Sequence, residues 1–123
     1  MAWLFAESES PRVAAAFETI QRGEAVAPVL LHFEMRNVLL SAERRRRITR
    51  ERSTAFLKQL AKLAIRLAPP EGDETMTLAS AHRLTFYDTA YLELAKREGL
   101  PLATVDRNLE RAATLEGVAL FGA

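Results

Sequence analysis

The chain has no cysteine among its 123 residues, which excludes disulfide bridges and thiolate sites and fits a reducing compartment. Long apolar runs are also missing. None approaches the roughly 20 residues needed to span a bilayer, and the short Met1–Phe5 stretch lacks the basic start of a signal peptide. These absences predict a soluble, cytoplasmic chain. No one sign of charge dominates: 17 Lys and Arg face 16 Asp and Glu for a net of +1, so no global field announces a nucleic-acid or membrane partner. The sequence holds no G-x-G-x-x-G, no G-x-x-x-x-G-K-[ST], no H-E-x-x-H and no G-x-S-x-G, so the commonest nucleotide, zinc and hydrolase signatures are absent. Internal repeats, low-complexity tracts and linkers are absent too, and the length suits one domain, residues 1–123, able to bury roughly two thirds of its surface.

What is present is an ordinary globular composition, 49% apolar and 27% charged, arranged as short apolar runs between helical patterns. Ala2-Trp3-Leu4-Phe5 opens the chain as though inside a helix. Ser10-Pro11 predicts the cap and first position of a helix carrying Val13, Ala16, Phe17 and Ile20 and stopped by Gly23. Glu24–Ala27 reads as a brief strand, and Pro28 as the start of a long helix, PVLLHFEMRNVLLSAERRRR. Thr49 caps the next helix, with Phe56, Leu57, Leu60 and Leu63 as its core face. Ala64–Leu67 is a second strand, ended by Pro69-Pro70. A short helix from Asp73 or Glu74 to about His82 carries Met76, Leu78 and Ala79. Thr85 to Gly99 is a helix with Lys96 and Arg97 in its last turn, where cations suit the macrodipole. Leu100–Val105 reads as a strand leading through Asp106 into a helix, and Val118–Phe121 as a final edge strand. Strands alternating with helices predict an α/β fold built on a parallel sheet.

Three acids stand out. Asp88 has Leu84, Thr85, Tyr91 and Leu92 as helical neighbours, an apolar stripe expected to face the interior. Its structural alternative is a capping box with Thr85. Asp106 follows an expected strand, at the carboxyl end where α/β sheets form their ligand crevice; its alternative is a helix N-cap. Glu34 lies one turn from Leu30 and Val38, and an unpaired carboxylate on such a stripe costs several kcal/mol unless it is paired, neutralised or given a metal. A salt bridge to an arginine such as Arg36 is the alternative there. His32 and His82 read as ordinary helix residues. The run Arg44, Arg45, Arg46 and Arg47, followed by Arg50 and Arg52, is the solvated end of a helix or a phosphate contact for RNA or DNA.

The stretches PVLLHFEMRNVLLSAERRRRIT, LTFYDTAYLELAKREGLPLATVDRNLERAA and AWLFAESESP resemble the PIN-domain ribonucleases of the VapC toxin type, in order and across nearly the whole chain. YDTAYLELA and LATVDRNL are the most specific segments. The resemblance implies a PIN-like three-layer α/β/α sandwich with a central parallel sheet. In that family four acids share one pocket, and the last three correspond to Glu34, Asp88 and Asp106. The family's first strand, with its aspartate, has no counterpart ahead of AWLF, and Glu7 and Glu9 do not take its role. The resemblance further implies a metal-dependent endoribonuclease in which these acids hold Mg2+ or Mn2+, with Thr104 as a phosphate or supporting contact. It also implies a VapB-like antitoxin partner, an RNA substrate and a homodimer. Clustered carboxylates do prefer such hard cations. Two other readings stay open: a catalytically disabled PIN-fold module that binds antitoxin or RNA without cleaving, and an unrelated α/β interaction module whose acids are caps and salt bridges.

Overall fold

The computed structural model of the chain describes Arg22 and residues 25–121. The helix expected between Ser10 and Gly23, the opening AWLF stretch, and Glu24 lie outside the described residues. The described order is β1 (Ala25–Pro28), α1 (Leu30–Arg44), α2 (Arg50–Ala61), β2 (Ile65–Ala68), α3 (Gly72–His82), α4 (Phe86–Glu98) and α5 (Arg107–Leu115). β1 and β2 pair in parallel with Ala25 opposite Ile65 and Pro28 opposite Ala68. Between them α1 and α2 form the crossover that parallel pairing requires.

Pro28 ends a strand instead of opening a helix. A proline restricts the residue before it to extended backbone, which keeps Ala27 in the strand, and the Val29 amide continues the pairing to the Ala68 carbonyl at 3.0 Å. α1 therefore starts at Leu30 without a side-chain cap. Three of the other helices are capped as their sequences predict, with the Arg52 amide donating to the Thr49 hydroxyl, that of Asp88 to the Thr85 hydroxyl and that of Leu109 to the Asp106 carboxylate.

Four of the five described helices end in a left-handed residue, of two kinds. Gly99 and Gly117 take positive φ at the ends of α4 and α5, and the amides after them close onto Ala95 and Ala113 at 2.9 and 2.8 Å. Arg46 and Arg83 take the same left-handed conformation, at φ 57° and 55°. The Arg47 amide closes onto Ala42 and the Leu84 amide onto Ala79, so two helices are terminated by a glycine-type turn built on arginine. Each side chain there costs about 1 kcal/mol relative to glycine.

The expected strands Leu100–Val105 and Val118–Phe121 reduce to one parallel bridge between Leu102 and Leu120. The Leu102 amide donates to Ala119 and the Phe121 amide to Leu102, after which the two segments part. On α3 Met76 is exposed, whereas Leu78 and Ala79 are buried. Among the described residues the core has two centres. Ala27, Leu31 and Met35 gather Phe56, Leu60 and Ile65 between α1, α2 and the strands. Leu92 and Ala95 of α4 pack with Leu102, Leu109, Ala112, Ala113 and Val118. These elements form an α/β fold with a parallel strand pair. No helix among the described residues is long and apolar enough to cross a membrane.

Candidate active site

Asp88 is placed by the turn from α3 into α4. The left-handed Arg83 reverses the chain, Thr85 caps α4, and the Asp88 amide donates to the Thr85 hydroxyl at 3.1 Å. Only this half of the capping box forms. Among the described residues the Asp88 carboxylate accepts no hydrogen bond, and it is half-buried.

Glu34 lies midway along α1 beside the buried Leu31 and Met35. Arg36 does not turn to it; its guanidinium donates to the His32 carbonyl at 2.8 Å. The Tyr91 hydroxyl instead donates to Glu34 Oε1. Tyr91 stands one helical turn beyond Asp88, and its phenol is pushed well above its ordinary range by burial, by the bond to Glu34, and by the charges of Glu34 and Asp88. It is therefore a permanent donor. Tyr91 is the residue that sequence reading misses, since there it counts only as an apolar neighbour of Asp88. Its polar tip at that spacing is the available signal.

Asp106 caps α5 through Oδ1, which accepts from the Leu109 amide at 2.9 Å, and its own amide donates to the Thr104 hydroxyl at 3.1 Å. The cap reading of Asp106 is thus realised. Thr104 acts on the backbone that presents this carboxylate. Arg44, Arg45, Arg46 and Arg47 are all exposed, around the turn that ends α1. His32 is exposed and meets the Phe33 ring edge-on, while the half-buried His82 bonds Glu116.

The structure brings Glu34 to the Tyr91 phenol, one helical turn beyond Asp88. Among the described residues no group of three or more acids and histidines is close enough to hold a metal ion, so Asp106 is not part of a closed triad with them. The donor set itself, carboxylate oxygens only, has the chemistry that suits Mg2+ or Mn2+.

Comparison with known proteins gives this arrangement its setting. The chain is similar to Exonuclease VapC9 of Pyrobaculum aerophilum, with 34% identity over 77 residues. That alignment spans 63% of this chain and 58% of the relative, less than two thirds of the relative's length. A family model described as PIN domain matches residues 1–115, nearly all of the 123. By that match, this chain belongs to the PIN domain family.

Proposed function

We propose that the chain is a metal-dependent endoribonuclease, the toxin of a toxin–antitoxin pair, acting in the cytoplasm as a homodimer held in check by a VapB-like antitoxin. The observation that carries this reading is the hydrogen bond to Glu34 of α1 from Tyr91, which stands one turn beyond Asp88 on α4, in a chain of the PIN domain family. Glu34, Asp88 and Asp106 are the residues that would hold Mg2+ or Mn2+. Such an ion supplies an activated water and stabilisation of the charge that develops on a phosphodiester during in-line displacement. The chain's own contribution is placement. Thr85 fixes the first turn that carries Asp88, Thr104 fixes the backbone at Asp106, and the exposed Arg44–Arg47 run offers positive charge to RNA phosphates.

The test is Mn2+-dependent cleavage of a structured RNA pool by this chain and by its Asp88→Asn and Glu34→Gln variants. Each substitution is expected to lower the rate by roughly two orders of magnitude or more, since metal-borne charge stabilisation is worth several kcal/mol. A circular RNA, which has no ends, separates endonucleolytic from exonucleolytic cleavage; linearisation of the circle supports the endonuclease. A second reading, a module that binds antitoxin or RNA without cutting, is favoured by the lack of a three-acid group among the described residues. RNA binding with no cleavage at any Mn2+ concentration would establish it instead.

A further inference from the structure

Resting on the metal-site reading of Glu34 and Asp88, we propose that Tyr91 is a positioning residue of the site, whose hydroxyl holds the α1 carboxylate of Glu34 against α4 at a set place relative to Asp88. Three observations carry it. The Tyr91 ring is fixed, half-buried against the core formed by Leu92, Leu102, Leu109 and the α5 alanines. Its hydroxyl donates to Glu34 Oε1 across 57 positions of sequence. Asp88 stands on the same stripe of α4 one turn earlier.

A glutamate has three side-chain torsions, and immobilising it costs rotamer entropy. Tyrosine has two torsions, and here the core already holds its ring. The phenol thus transfers the rigidity of the core to a long, flexible carboxylate on another helix. Partners of this kind, which orient a ligand without touching the ion, typically alter metal affinity by about 10- to 100-fold. A purely structural Tyr91–Glu34 bond would steady the fold and leave metal affinity alone.

The experiment titrates the full metal-free chain with Mn2+ alone, reading binding by calorimetry, for wild type, Tyr91→Phe, Glu34→Gln and the double variant. Tyr91→Phe removes one oxygen and keeps the ring, and its metal-free melting temperature is measured alongside. The expected result is a dissociation constant about 10- to 100-fold weaker in Tyr91→Phe, with melting close to wild type, and no further weakening when Tyr91→Phe is added to Glu34→Gln. RNA cleavage by Tyr91→Phe should recover as Mn2+ is raised, because the defect lies in assembling the ligands. Wild-type affinity in Tyr91→Phe overturns the assignment and leaves the nuclease reading standing. An equal loss in the presence and absence of Glu34 also overturns it, since Tyr91 would then act by another route. Failure of wild type itself to bind Mn2+ overturns the metal-site reading and this assignment with it.

Discussion

Asp106 combines a structural bond with a charge, and substitution can separate them. Its Oδ1 accepts from the Leu109 amide at the start of α5, a bond that asparagine makes equally well. Asp106→Asn should therefore melt close to wild type while losing Mn2+-dependent cleavage. Asp106→Ala should lose cleavage and about 1 kcal/mol of stability as well. Full activity in the asparagine variant, measured beside its melting curve, would make Asp106 a cap and nothing more. The cap is legible in the sequence, because it is a contact over three residues. Arg46 and Arg83 are not legible in the same way. The signal for a left-handed helix end is glycine, and at Arg46 the run of arginines reads as a solvated helix end. Only the backbone, at φ 57° and 55°, shows turns built on arginine.

At the scale of the element, α4 is held by more than its apolar face. Glu93 is 2% exposed and accepts two bonds from Arg97, at 2.8 and 3.1 Å, and one from the Glu71 amide at 3.0 Å. Arg97 reaches on to the Pro69 carbonyl at 3.0 Å. This clamp ties the segment after β2 to the helix that carries Asp88 and Tyr91. Removing one partner of a buried pair costs more than its charge alone, because the other is left uncompensated. Arg97→Met, which strands the Glu93 carboxylate, should cost about 3 kcal/mol in urea unfolding. Glu93→Gln, which leaves the better-solvated arginine, should cost roughly half that. The reverse order would mean that Arg97 is satisfied by solvent and that Glu93 serves the Glu71 amide alone. In the sequence Glu93 has leucines on either side and an arginine four residues on, the pattern of an ordinary surface pair. Its burial depends on the packing of the 69–71 segment, which helical spacing does not encode.

Across the whole molecule, Glu116 joins three helices. Lys96 of α4 donates to it at 2.8 Å, and His82 at the end of α3 meets it at 2.6 Å just beyond α5. The Lys96 bond first, and then that of His82, hold the Glu116 carboxyl below its ordinary 4.5, while Glu116 raises Lys96 above 10.5. A depressed carboxyl contributes stability above its unfolded value and loses it as pH falls through the folded one. A raised lysine contributes below its unfolded value and loses it as pH rises through the folded one. The stability that wild type holds over a Glu116→Gln variant should therefore be widest between about pH 5 and 10, from these ordinary values. It should shrink at both ends of a melting-temperature profile. A difference constant from about pH 3 to 11, beyond both ordinary values, would show that the contact is packing and not charge. The three residues lie far apart in sequence, and nothing local announces that they meet.

The sequence by itself determined helices α2 to α5, three of their caps, and the choice of the acids proposed for the site. These depend on residues three or four apart, where a hydroxyl, a carboxylate or a glycine decides the outcome. Tertiary structure decided the rest. Leu100–Val105 has the composition of a strand, but a strand exists only where a neighbour runs beside it, and among the described residues Leu120 supplies a single bridge. Pro28 carries a helix-start signal and became a strand end because the Ala68 carbonyl lay within reach of the next amide. Glu34 is readable as an acid needing a partner. That the partner is Tyr91 follows from the packing of α1 against α4, since a bond between residues so distant in sequence forms only after the core has set both helices in place.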